Sequence, residues 1–180
     1  MSKSINLSKP KSNDDEFYTP LYALEMLKPY LPSNGKVWEC FTRGNNDLIE
    51  SPKFLKEMGY DVIFSENDFF KYKPDHYDFI VSNPPYFTPK GERNMKERVI
   101  ERCCELNKPF ALCVPTYYLQ TKSFKSLADK YGDFQLLLPS KKIQFYKIED
   151  GKQIKPKKGC SFYTCWITRG MNCPRDFIIV

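Results

Sequence analysis

Leu21, Leu24, Leu27 and Leu31 recur at three- and four-residue intervals, the spacing that lines one face of an α-helix. Thr19 suits the N-cap of that helix and Pro20 its first position, where proline's missing N–H removes a donor that would be unpaired anyway. Pro32-Ser33-Asn34-Gly35 ends it. Beyond this point the pattern becomes blockwise, with short apolar runs at 36–40, 61–65, 78–83, 110–115, 134–139 and 161–167. Runs that are apolar without strict alternation predict strands covered on both faces. Helical stretches at 48–58, 94–106 and 120–131 lie between them. Strand alternating with helix predicts an α/β fold, a mostly parallel central sheet with helices on both faces. In such sheets ligands bind outside the carboxyl ends of the strands, which directs attention to the tips after residues 39, 65, 82, 115 and 139.

Composition narrows the function. A chain of 180 residues fits one domain. The polar stretch 1–15 reads as a flexible N-terminal arm and 16–180 as the domain. With 41% hydrophobic and 16% aromatic residues the chain can bury a core, which excludes a disordered protein. It has no apolar run of membrane-spanning length and no apolar signal core near the N-terminus, so a soluble, cytoplasmic protein with no membrane partner is expected. Only 8 glycines argue against long glycine-rich phosphate loops. Seven cysteines without a CxxC pair, and a single histidine, His76, predict buried free thiols and no metal site. The net charge of +6 favours an anionic partner, with nucleic acid ahead of plain solubility.

The least ordinary segment is Asn83-Pro84-Pro85-Tyr86, at the carboxyl end of the run 78–83. Two successive prolines remove two backbone donors and fix φ, holding carbonyls and the flanking Asn amide in a rigid outward geometry. Such a device accepts hydrogen bonds from an amine. The tetrapeptide resembles the catalytic motif of class I S-adenosylmethionine-dependent adenine-N6 methyltransferases, including those of phages and viruses that lack a separate target recognition domain. The resemblance implies a Rossmann-like, seven-strand fold and S-adenosyl-L-methionine as cofactor. It also implies a methyl acceptor in nucleic acid, DNA ahead of RNA. By that resemblance Asn83 and the Pro84 carbonyl hold the target amine, Pro85 stiffens the turn, and Tyr86 holds a base extruded from the stack, since a paired base cannot reach a buried methyl donor.

Other segments fall in the same family order. Phe17-Tyr18-Thr19-Pro20 resembles the aromatic-Thr-Pro element whose loop covers the methionine end of the cofactor, and Glu39-Cys40-Phe41 resembles the start of the cofactor loop. That loop continues with Gly44 between Arg43 and Asn45, where the family usually carries Gly-x-Gly. Glu66 stands where an acid takes the ribose hydroxyls, and Asp68 and Phe69 where the adenine amine and ring are met. Residues 139–160 contain seven lysines against Glu149 and Asp150, a surplus of five charges interleaved with Phe145 and Tyr146. Lysines beside aromatics suit a phosphate backbone with unstacked bases, so Lys90, Lys141, Lys142 and Tyr146 are the expected nucleic-acid contacts. The resemblance spans about residues 15–170 and leaves no stretch for a recognition domain, so selectivity would come from short loops or a protein partner. Two rival readings stand beside this one. The same tetrapeptide occurs in methyltransferases acting on RNA or on protein glutamine. Arg43 and Asn45 fit a catalytically degenerate relative that binds nucleic acid or supports a partner subunit.

Overall fold

The structure is a computed structural model that describes residues 17–42, 51–64, 67–149, 152–154 and 162–180. A short helix α1 (Leu21–Glu25) and a 3-10 turn (Lys28–Tyr30) lead into β1 (Lys36–Glu39). Then follow α2 (Ser51–Glu57), β2 (Asp61–Phe64), β3 (Phe79–Ser82), α3 (Met95–Leu106) and β4 (Phe110–Pro115). A 3-10 turn (Thr116–Gln120), α4 (Lys122–Tyr131) and β5 (Gln135–Leu138) come next. The hairpin β6 (Lys147–Glu149) and β7 (Lys152–Ile154) precedes the last two strands, β8 (Thr164–Arg169) and β9 (Phe177–Ile179).

Seven strands form one sheet in the order β2-β1-β3-β4-β8-β5-β9, and β6 pairs only with β7. The strands β2, β1, β3 and β4 are mutually parallel, β8 is antiparallel to both β4 and β5, and β9 is parallel to β5. The carboxyl ends of β1, β3, β4 and β5 therefore share one rim. From β1 the chain moves outward to β2 and then returns to the opposite side of β1 as β3. This reversal opens a crevice between the tips of β1 and β3, the position at which open α/β sheets hold ligands.

Side chains alternate across the sheet with the period of two that a strand imposes. Val37, Phe79, Val81, Ala111, Cys113, Leu137 and Trp166 meet Leu24, Leu27 and Leu55 on one face. Trp38, Ile80, Phe110, Leu112, Cys165 and Ile167 meet Val99, Ile100, Cys103 and Leu127 on the other. Every residue of β3 and β4 is buried, which explains why their sequences are apolar throughout.

Helix ends follow local chemistry. The Asn94 side chain accepts from Lys96 N at 3.0 Å to cap α3, and Asn107 closes that helix at φ 51°. Thr121 Oγ1 accepts from Phe124 N at 3.2 Å to cap α4. Three expectations shift. The N-terminal helix begins at Leu21 with Pro20 as its cap residue, and tightens into a 3-10 turn because Pro29 cannot donate to an α-helical bond. The run at 161–167 becomes β8 three residues later, and antiparallel. Strand β9 lies beyond the apolar runs, with only Ile178 of its three residues turned to the core. The arm at 1–15 lies outside the described residues.

The amino ends of β1 and β3 are fixed together as well: Lys36 N donates to Asp78 Oδ2 at 2.7 Å and Asp78 N to Lys36 O at 2.8 Å. Gly35 enters β1 at φ +127°, and an added Cβ would lie 3.0 Å from Asp78 Oδ2 and 3.4 Å from the Phe79 ring. Gly35→Ala should destabilise the chain by about 1–3 kcal/mol, from backbone strain and displacement of the Asp78 cap together. Urea unfolding measures this; a midpoint equal to the parent's would mean that the turn relaxes freely.

Candidate active site

The buried run of β1 ends on an ionisable group. Glu39 is 1% exposed, held between three neutral donors. Ser82 Oγ donates to its Oε1 from the end of β3, Ser51 Oγ to its Oε2 at 2.6 Å from the first residue of α2, and Phe41 N to its Oε1 at 3.2 Å. Burial pushes the Glu39 carboxyl above its ordinary value of 4.5, and these hydrogen bonds pull it back part of the way. Three residues on, Thr42 Oγ1 is buried without a hydrogen-bond partner. A buried carboxyl group and a buried hydroxyl without a partner thus stand at the carboxyl end of β1, beside the strand-order reversal.

Aromatic rings floor the same side. Phe69 is 3% exposed, its ring 4.9 Å from Phe41 and 5.5 Å from Trp38, so it acts through packing, and the half-buried Phe41 is the ring nearer the surface. Phe70 is half-buried under the Arg98 guanidinium, 4.3 Å from its centroid. Asp68 is exposed and shapes the turn: its Oδ1 accepts from Phe70 N at 3.0 Å, its carbonyl accepts from Tyr72 N at 2.8 Å, and Lys71 Nζ lies 3.5 Å from Oδ2. Glu66 and Gly44, with Arg43 and Asn45, lie outside the described residues.

On the β3 side, Asn83 follows directly from Ser82, so the hydroxyl that holds Glu39 is one residue from the proline turn. Pro84 is buried and Pro85 half-buried. The Asn83 amide is fixed from two directions: Nδ2 donates to the Phe17 carbonyl at 3.3 Å and Oδ1 accepts from Tyr86 OH at 2.7 Å. The Tyr86 hydroxyl also lies 3.1 Å from the Cys113 carbonyl, so its one hydrogen is shared between the two acceptors. Its ring is 7% exposed, set edge-on to Phe162 at 5.4 Å. Lys96, 5% exposed in the first turn of α3, donates from Nζ to the Tyr86 carbonyl at 2.8 Å and stands 5.9 Å from the ring.

Three segments distant in sequence converge here. Tyr18 N donates to the Tyr146 carbonyl at 2.9 Å and Tyr146 N to the Tyr18 carbonyl at 3.3 Å, and the two rings stack at 5.7 Å. Tyr22 OH accepts from Gln144 N at 2.6 Å. The aromatic-Thr-Pro segment is thus strapped to residues 144–146 on one side and to Asn83 on the other. Thr19 is buried at 4% exposure and Pro20 is the N-cap residue of α1. Tyr146 is buried at 6%, so it serves this junction. Lys90 and Lys141 are exposed, while Lys142 is half-buried with Nζ 5.4 Å from the Tyr163 centroid.

Ser51, Ser82, Lys96 and Phe162 belong to this site although nothing in the motifs pointed to them.

Two solved structures share the architecture. A candidate class I S-adenosylmethionine-dependent methyltransferase of Listeria monocytogenes matches at 10% identity, over 94% of this chain and 67% of its own, with a TM-score of 0.52. A candidate RNA methyltransferase of Pyrococcus horikoshii matches at 12% identity, over 89% and 88%, with a TM-score of 0.51. No family model and no curated protein sequence matches the chain. The likenesses identify the fold as the Rossmann-like class I methyltransferase fold, in agreement with the predicted α/β architecture. Among the described residues, no helix is long and apolar enough to cross a membrane.

Because burial raises the Glu39 carboxyl, its contribution to stability is full below the ordinary value of 4.5 and is lost as pH rises through the folded-state value. Glu39→Gln, which stays neutral, should therefore withstand more urea than the parent near pH 8, with the advantage shrinking as pH falls toward about 4. A difference that is constant across this window would trace to packing and not to the charge.

Proposed function

We propose that this chain transfers a methyl group from S-adenosylmethionine to the N6 amine of adenine in nucleic acid, DNA ahead of RNA. The observation that carries the reading is the preorganised Asn83, whose amide is held by Phe17 and Tyr86 at the tip of β3, beside the strand-order reversal.

The residues of the crevice suit the cofactor. Glu39 offers a buried anionic edge toward a cationic ligand, Thr42 Oγ1 is a buried hydroxyl without a partner, and Phe41 offers an aromatic face. Tyr18, Thr19 and Pro20 would close over the methionine end, with Gly44 in the loop after β1. Glu66 would take the ribose hydroxyls, and Asp68 with the Phe69 segment would meet the adenine. When bound, the cofactor supplies an electrophilic methyl group on a sulfonium.

The chain's own part is to position the amine. Asn83 Oδ1 has two lone pairs; Tyr86 engages one and the other can accept an amine hydrogen, with the Pro84 carbonyl as the second acceptor. Holding both hydrogens aims the nitrogen lone pair away from them, which is the alignment an in-line displacement requires. Tyr86 joins this work through its hydroxyl, and for a base to reach its ring face the Phe162 side must yield. Lys96 anchors the turn from below through the Tyr86 carbonyl. The exposed Lys90 and Lys141 and the half-buried Lys142 would meet phosphates, and selectivity would rest on the rim loops or on a protein partner. A second reading, an inactive relative that binds nucleic acid or supports a partner subunit, is favoured by Arg43 and Asn45 in the cofactor loop.

Asn83→Ala should lower turnover about a hundredfold or more, with cofactor affinity near the parent's. Tritium transfer from labelled S-adenosylmethionine to adenine-containing oligonucleotides reads this directly, and turnover that survives the substitution removes Asn83 from the chemistry. Replacing Lys141 and Lys142 together by Ala should flatten the slope of log affinity against log salt by somewhat under about 2, at about 0.7–0.9 per phosphate contact. An unaltered slope would make them solvated surface.

A further inference from the structure

We infer that Tyr163, backed by Lys142, is a second nucleotide subsite that stacks the base next to the target in an unpaired strand. The inference rests on the nucleic-acid reading above and adds to it the residue that grips the flanking nucleotide.

Four observations combine. Tyr163 is 64% exposed, whereas its neighbours Phe162 and Thr164 are buried. Its backbone is nevertheless held: Thr116 donates to the Tyr163 carbonyl from N at 2.9 Å and from Oγ1 at 3.3 Å, and the next residue, Thr164, enters β8 opposite Pro115 of β4. A hydrogen-bonded backbone under an exposed ring suits a stacking platform, because little order remains to be imposed on binding. Lys142 Nζ stands 5.4 Å from the ring centroid, which biases the ring's orientation through one π face, and the proposed base stacks on the other.

The fourth observation is location. Phe162, the preceding residue, lies edge-on to Tyr86 at 5.4 Å, and Tyr86 OH is 2.7 Å from Asn83 Oδ1. Tyr163 is therefore one packed residue removed from the amine-holding turn, on the rim at the carboxyl ends of β3 and β4. An adenine drawn into the crevice brings its neighbours over this rim, and a sequence-tolerant aromatic with an adjacent cation meets the chemistry of a base and its phosphate. The alternative occupant, a protein segment packing on the ring, has no charge preference, whereas the neighbouring Lys141 and Lys142 favour a polyanion.

The test measures binding of the full-length chain to a fluorescein-labelled single-stranded DNA hexamer by anisotropy, separately from methyl transfer. Tyr163→Ala should weaken hexamer binding by about tenfold or more, while Tyr163→Trp keeps it. S-adenosylmethionine affinity should be unchanged in both, which shows that the fold and the cofactor crevice are intact. Equal hexamer affinity in the parent and Tyr163→Ala overturns the subsite and leaves the methyl-transfer reading to the tritium assay. A parent that binds no hexamer overturns the subsite too, and tritium transfer to RNA or to glutamine-containing peptide then decides what the catalytic turn acts on. Loss of affinity in Tyr163→Trp equal to that in Tyr163→Ala would also contradict stacking.

Discussion

A carboxylate taken out of water must be given donors, and Glu39 draws them from three separate pieces of the chain. Ser82 comes from β3, Ser51 from the start of α2, and Phe41 from the turn after β1. The two strands on either side of the strand-order reversal are thereby joined at their tips, while Lys36 and Asp78 join them at the opposite end. Between these attachments the buried faces of β1 and β3 leave no freedom to slide, because a one-residue slip would turn Trp38 and Ile80 into the wrong layer. The proposed chemistry lies on the rim beyond these attachments. A neutral set of donors around a buried acid is an unfavourable arrangement in isolation, and a ligand carrying positive charge would relieve it.

The second dependence runs through Asn83. Its amide has one bond to a carbonyl of the N-terminal segment and one to a hydroxyl of its own turn, and the N-terminal segment is in turn paired with Tyr146. The turn, the strap and the stretch after β5 thus form one continuous network. Residues such as Tyr146 and Phe69, which look like ligand contacts by type, are largely enclosed in it and hold the site from behind. The faces that meet solvent belong instead to Phe41, Asp68 and Tyr163.

The central strands were legible because they are buried on both faces, and 110–115 reads as an uninterrupted apolar run with its boundaries intact. The helical stretches 94–106 and 120–131 were legible to within two residues of the ends of α3 and α4, where Asn94 and Thr121 cap by local chemistry. The antiparallel direction of β8 was not, since direction depends on which strand lies next to it and leaves no trace in composition. Strand β9 was invisible for a related reason: two of its three side chains face water, so its pairing with β5 rests on backbone bonds that any sequence can make. Within the site, Asn83 to Tyr86 declared itself through two prolines, but Ser51 and Lys96 did not. A serine beginning a helix and a lysine on its first turn acquire their roles only when the fold brings Glu39 and the Tyr86 carbonyl to them.

The central claim is that the crevice between the tips of β1 and β3 holds S-adenosylmethionine. Isothermal titration of that compound into the full-length chain tests it most directly. The account predicts a saturable isotherm with one site per chain, displaced by S-adenosylhomocysteine. An absence of binding at protein and ligand concentrations suited to millimolar affinity would contradict it and leave the fold as a scaffold for some other ligand.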